Sequence, residues 1–209
     1  MAIYTKHGDL GETCLINRRG VVKDHLCLQA GGDIDELSAQ LGMILATLGD
    51  GKSLMLRGRV RCVQQELIQI GSIVAGGDGL KLAHGDLKGV SRSKPAPDLI
   101  RGRGMTLPPT EKVPGDLLKN AIMRLEAEID EMEEEMPKID SFVLAGDDGI
   151  VAAHLDVART VCRRAERSLV ALVREVDIEK NILAYLNRLS DWLFISARFM
   201  ENKDAEKAE

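Results

Sequence analysis

The chain has 209 residues, which suits one domain or at most two small ones with a sizeable core. Aromatic residues make up 3% of it, so Leu, Ile, Val, Ala and Met must fill that core. A net charge of −5 argues against a general nucleic-acid binder, and no apolar run reaches membrane-spanning length.

The first segment, Tyr4-Thr5-Lys6-His7-Gly8-Asp9-Leu10-Gly11-Glu12-Thr13, is a polar loop. Two glycines, a lysine and hydroxyls let backbone N–H groups approach a phosphate closely. The G-x-x-x-x-G-K-[ST] spacing of a P-loop is absent. A first helix is expected from Asp33, where Asp33-Ile34-Asp35-Glu36 has the form of a capping box, to Leu48. A second spans Arg57 to Ala75, with Val60, Val63, Leu67, Ile70 and Val74 in register. Residues 78–114, rich in Gly, Pro, Ser and basic side chains, are expected to form a long surface connection. The third helix runs from Asp116 to Met136 on a heptad seam closed by Pro137.

The fourth helix covers Ile150 to Val176, with Ile150, Val157, Val161, Ala165, Leu169, Leu172 and Val176 as its expected core stripe. The fifth covers Ile178 to Met200, and the charged tail of residues 201–209 is expected to be disordered. No strand pattern competes over a comparable length. The periodicity therefore predicts one all-α domain, an antiparallel helical bundle. Cys14, Cys27, Cys62 and Cys162 lack C-x-x-C spacing, so a zinc site is not expected and Cys162 reads as a reduced core residue. With no signal-peptide pattern, a cytoplasmic protein is expected.

The chemistry concentrates on two helices. Arg159, Arg163 and Arg167 follow at i, i+4 and project from one face, with Arg164 and Glu166 between them. Like charges at that spacing repel unless anions compensate them, and planar guanidinium forks suit phosphate. On the fifth helix, Tyr185-Leu186-Asn187-Arg188-Leu189-Ser190-Asp191 places Asn187 and Asp191 on a face separate from the apolar stripe of Ile182, Leu186, Leu189 and Leu193. Taken alone, an Arg-rich helix face is usually solvated and these polar residues usually bond a neighbouring helix.

The loop, the Ile34-Asp35-Glu36-Leu37 helix start, the Arg159–Arg167 run and the Tyr185–Asp191 run occur in this order. Together they closely resemble the PduO-type ATP:cob(I)alamin adenosyltransferases over nearly the whole chain. The resemblance implies a five-helix bundle, ferritin-like in architecture, assembled as a homotrimer with active sites at subunit interfaces. It implies transfer of the 5′-deoxyadenosyl group of ATP to the cobalt of a reduced corrinoid such as cobalamin, with release of triphosphate. A reductase and a cobalamin-dependent mutase are the implied partners, and neither nucleic acid nor membrane is involved.

By the same resemblance, Arg163 is the first candidate for triphosphate contact, beside Arg159 and Arg167. Glu166 lies near the nucleotide or its Mg²⁺. Thr5, Lys6, Gly8, Asp9, Gly11 and Thr13 wrap the phosphates, Lys23 and Asn187 contact the nucleotide, and Asp35 pairs with Arg159 across the subunit boundary. Phe142 is the aromatic that fills the space below the corrinoid. The chain departs from the family pattern at Ala145-Gly146-Asp147-Asp148, where P-G-G is usual, and at Asp156, where His is frequent. A second reading consistent with these departures is a non-catalytic trimer that binds ATP or corrinoid for delivery or sensing.

Overall fold

A computed structural model of the chain describes residues 4, 6, 8–15, 18–48, 54–76, 81–82, 116–139, 143–146 and 149–205. The order is β1 (Glu12–Leu15), β2 (Arg18–Val22), α1 (Leu26–Thr47), α2 (Leu54–Val74), β3 (Lys81–Leu82), α3 (Leu117–Glu134), α4 (Ile150–Leu172), β4 (Val176–Asp177) and α5 (Asn181–Ala205). Helix α1 packs on α2 and α4, α4 on α5, and α5 on α3. Ion pairs from α2 to α3 complete the five-helix bundle: Arg124 with Glu66, and Arg59 with Glu128 and Glu131.

Apolar residues at three- and four-residue intervals make these helices. In α1, Cys27, Ala30, Ile34, Leu37, Leu41 and Ile44 are all buried. The helix begins seven residues before the expected start at Asp33. His25 is its N-cap, and its Nδ1 accepts from the Cys27 N–H at 3.1 Å. Each helical glycine costs about 1 kcal/mol, yet the chain stays helical through Gly31 and Gly32 because Cys27 and Ala30 extend the buried stripe. Asp33 and Glu36 thus face α4 from inside a helix and cap nothing.

The buried face of α4 is also displaced from expectation. Ile150 and Val157 are 64% and 45% exposed, while Ala152, Leu155, Ala158, Cys162 and Ala165 are buried. A helix held between α1 and α5 must bury a broader and differently centred face than a one-sided stripe. Its helical run ends at Leu172, and Val176–Asp177 pair antiparallel with Lys81–Leu82 rather than continuing the turn. Apart from that pair, residues 78–114 lie outside the described residues.

At the other end, α5 extends through Ala205, so residues 201–205 are helical, contrary to the expected disorder. Glu201 pairs with Arg198 at 3.0 Å, and Lys203 reaches Glu135 at 3.3 Å, so charges fasten this end of α5. The β1–β2 hairpin was not expected from the sequence either. Its strands have four and five residues, too short for alternation to stand out. Leu15 and Val21 are its buried anchors.

A polar network locks α2, α3 and α5. Glu66 accepts from the Tyr185 hydroxyl at 2.7 Å and from Arg124 Nη2 at 2.9 and 3.1 Å. Glu128 accepts from Arg124 Nη1 at 2.6 Å and Trp192 Nε1 at 2.8 Å. Burial, then the Glu66 charge, pushes the Tyr185 hydroxyl well above its ordinary value. A proton held more tightly in the folded state stabilises the fold below the unfolded value of about 10, and that contribution is lost as the pH rises further. Tyr185→Phe should cost about 1–3 kcal/mol in urea unfolding at neutral pH. It should also flatten this part of the alkaline decline, while adenosyl transfer stays near normal.

Candidate functional site at the α4/α5 seam and the N-terminal hairpin

Two clusters hold the sequence-predicted residues. The first is the approach to the β1–β2 hairpin. The Asp9 N–H donates to the Lys6 carbonyl and the Gly11 N–H to the Gly8 carbonyl, both at 3.3 Å, and the Lys23 N–H donates to the Gly11 carbonyl at 2.9 Å. Lys6 has φ 62° and Gly11 φ 86°, so the chain turns sharply here. A Cβ added at Gly8 would lie 3.1 Å from Lys23 Nζ. Glycine therefore leaves room for the ammonium to lie over the loop backbone. Lys6, Asp9 and Lys23 are exposed, and Thr13 is half-buried on β1. The cluster thus collects two ammonium groups beside a tight turn, a shape suited to an anion. Thr5 lies outside the described residues.

The second cluster is the α4/α5 seam. The buried Cys162 Sγ donates to the Leu186 carbonyl at 3.3 Å. The next residues on the two helices, Arg163 and Asn187, are both exposed at this level of the crossing. Burial pushes the Cys162 thiol up to about 12, with Glu166 raising it further, Arg163 lowering it and Asp191 raising it. Such a thiol stays protonated and is no nucleophile. The same charges show that Arg163, Glu166 and Asp191 all lie near this crossing.

Arg163 is half-exposed at 52%, with Glu166 at 4.0 Å. Its guanidinium is therefore largely uncompensated. Arg167 and Asn187 are exposed too. Arg159 is 32% exposed and has Asp156 at 3.8 Å. Asp35 is exposed on α1, and it is Asp156 on α4 that lies beside Arg159 within the chain.

Sequence reasoning missed the partners of the ladder. Arg164 Nε donates to Asp33 at 3.1 Å, its Nη2 donates to Glu36, and the Ser168 hydroxyl also donates to Asp33. These α1 carboxylates raise the Arg164 guanidinium above its ordinary value, the Glu36 bond first. Arg164 is thereby a staple to α1, leaving Arg163 and Arg167 exposed and Arg159 half-buried against Asp156. Arg198, sited on α5 beside Asp156, was also missed as a partner. Its only trace in the sequence was its position, two turns past Asp191 on the same helix. Phe142, Asp147 and Asp148 lie outside the described residues.

Among the described residues, no group of three or more His, Cys, Asp or Glu could hold a metal ion. No described helix is long and apolar enough to cross a membrane.

The cobalamin adenosyltransferase family model matches residues 3–200. The chain belongs to that family. It is 34% identical over 199 residues to the corrinoid adenosyltransferase of Bacillus subtilis, covering 95% of this chain and 86% of that one. It is 35% identical over 198 residues to that of Mycobacterium leprae, covering 94% and 89%. A PduO-type ATP:corrinoid adenosyltransferase variant from Lactobacillus reuteri, complexed with ATP, shares the fold with a TM-score of 0.71 at 27% identity, over 95% of this chain and 94% of that one. Another variant from that organism, complexed with cobalamin and ATP, gives 0.73 at 28%, over 96% and 91%. Like this family's solved members, the adenosyltransferase is an all-α five-helix bundle.

Gly11 tests the first cluster. At φ 86° a Cβ is strained, so Gly11→Ala should cost about 1–2 kcal/mol locally. The expected outcome is weaker ATP binding by calorimetry with helical content unchanged by circular dichroism.

Proposed function

We propose that this ATP:corrinoid adenosyltransferase binds the triphosphate of ATP between the N-terminal loop and the outward arginines of α4. The observation that supports the proposal is the Cys162–Leu186 contact between α4 and α5, next in sequence to Arg163 and Asn187, together with a half-exposed Arg163 that has, among the described residues, only Glu166 at 4.0 Å. The reaction forms a cobalt–carbon bond at the ribose C5′ as the C5′–oxygen bond breaks, and the triphosphate leaves with that electron pair. Charge grows on the leaving polyanion in the transition state. Preorganised cations aimed at it lower the barrier more than they tighten ground-state binding. Arg163 is the central cation, flanked by Arg159 and Arg167. Lys6, Lys23 and the backbone around Gly8, Asp9 and Gly11 close on the phosphates, Thr5 and Thr13 add hydroxyls, and Asn187 orients the nucleoside.

The donors present fit a Mg²⁺ carried in by the nucleotide. Of the two carboxylates near the crossing, Asp191 is held by Arg188 at 2.9 Å, so phosphate oxygens would supply most ligands and Glu166 one. The bound ion would screen phosphate charge. On the corrinoid side, Phe142 is proposed to fill the face left by the lower axial ligand.

The exposed Asp35 on α1 suits a contact with another subunit, and its proposed partner is Arg159 of a neighbouring chain. That arrangement makes a homotrimer with sites between subunits. The free thiols of Cys14, Cys62 and Cys162 fit a reducing cytoplasm. Supply of cobalt(I) calls for a reductase, and the product suits a cobalamin-dependent mutase.

Arg163→Ala should abolish transfer while the assembly stays folded, because removing a preorganised charge contact costs about 3–4 kcal/mol in the barrier. Incubation with Mg·ATP and chemically reduced cobalamin, followed spectrally, measures it. Near-normal turnover would take Arg163 out of the triphosphate role. For the interface, Asp35→Asn and Arg159→Ala should each weaken assembly and ATP affinity, and their double-mutant cycle should be non-additive. Additive effects, or a fully active monomer in sedimentation, would place the site within one chain.

A further inference from the structure

We infer that Asp156 and Arg198 form a buried positioning pair that joins the phosphate-facing end of α4 to the loop at residues 143–146, so that nucleotide and corrinoid binding are coupled through it. The inference rests on the proposed sites above and adds a link between them.

Asp156 and Arg198 are the buried charged side chains among the described residues, at 4% and 5% exposure. Arg198 Nη2 donates to Asp156 Oδ2 at 2.5 Å. The other carboxylate oxygen, Oδ1, lies 3.8 Å from Arg159 Nε. One carboxylate therefore serves two arginines, one of them the first rung of the phosphate-facing ladder. The Phe194 ring packs against both, 6.0 Å from the Arg159 guanidinium carbon and 5.5 Å from that of Arg198. The Nε atoms of both arginines are buried without a hydrogen-bond partner. Neither guanidinium is saturated; Asp156 touches both, and Glu201, one turn further on α5, also holds Arg198 Nη2 at 3.0 Å.

Arg198 also reaches the loop. Its Nη1 donates to the Leu144 carbonyl at 3.5 Å. The loop sits closely on α4, since a Cβ added at Gly146 would meet Ala153 Cβ at 3.4 Å, and Gly146 has φ 84°. Val143 and Leu144 are nonetheless 43% and 73% exposed. The loop is held by its backbone and turns two apolar side chains outward, directly after Phe142. A shift of Arg159 toward a bound phosphate moves its pull on Asp156, hence the Asp156–Arg198 bond, hence the carbonyl that seats this apolar lip. A buried charge pair is a costly way to gain stability alone and is better suited to fixing one arrangement.

The test measures binding of cob(II)alamin to the intact assembly with and without Mg·ATP, by absorbance titration, and of Mg·ATP alone by calorimetry. In the unaltered protein ATP should tighten cob(II)alamin binding, by about five- to a hundredfold for a coupled pair of sites. Asp156→Asn keeps the shape and removes the charge, and should bring that ratio close to one. Arg198→Lys keeps the charge pair but gives up the second nitrogen that reaches Leu144. It should leave Mg·ATP affinity unchanged and weaken cob(II)alamin binding. A merely structural pair would lower the unfolding midpoint and leave the ratio intact, which would overturn the inference. So would unchanged cob(II)alamin binding in Arg198→Lys, which decides the matter even where Asp156→Asn does not fold. Failure of the unaltered protein to bind either ligand would instead sink the underlying site assignment, and the coupling with it.

Discussion

Arginines repeated every fourth residue repel one another, and the carboxylates that answer them decide how this bundle assembles. Arg164 is answered from α1 by Asp33 and Glu36, and Arg198 of α5 is answered from α4 by Asp156. Each answer joins α4 to a different neighbour. The exposed pair at Arg164 contributes little stability by itself, since surface ion pairs are worth about 0–1 kcal/mol. Its value is directional: it fixes the rotation of α4 about its axis. With α4 set, Arg163 and Arg167 point outward and Arg159 lies half-buried against Asp156, because the opposite face is committed to Leu155, Cys162, Ala165 and Leu169.

The charge balance is therefore deliberately incomplete. Arg163 has a carboxylate at 4.0 Å and half its side chain in solvent. Were it as fully paired as Arg124, which holds both Glu66 and Glu128, an incoming phosphate would have to displace a carboxylate. An under-compensated guanidinium needs no such exchange. In the triphosphate role proposed for Arg163, its desolvation would come when the nucleotide arrives, and the growing charge of the leaving triphosphate would then gain the most.

Much of this was legible in the sequence. The five helices and their order followed from apolar spacing, and the stripe Ile182, Leu186, Leu189 and Leu193 is buried as expected. The Arg159–Arg167 run and the Tyr185–Asp191 run identified the family. What could not be read was pairwise. Asp33 has the look of a helix cap because D-x-x-E is local, whereas its actual partner Arg164 lies 131 residues away. Ile150 and Val157 looked like core because periodicity finds a stripe but not its breadth, and α4 is flanked by two helices. The hairpin strands were hidden by their length. Arg198 could be placed on the fifth helix, two turns past Asp191, but nothing local marks a charge whose partner is on another helix.

The two polar networks differ in what they can do. Around Glu66, Glu128, Tyr185, Trp192 and Arg124, each carboxylate accepts from at least two donors, and the aromatic rings are fully buried. A network satisfied in that way has one arrangement and makes α2, α3 and α5 a rigid block. Around Asp156 the bonds are fewer, and two guanidinium N–H groups are left without acceptors. A network with unused donors can redistribute its contacts at small cost. The rigid one joins α2, α3 and α5 without an ion pair to the ladder among the described residues, and the adaptable one touches both the ladder and the 143–146 loop. Under the proposed site assignment, that division would let the bundle keep its shape while the region around Asp156 responds to what is bound.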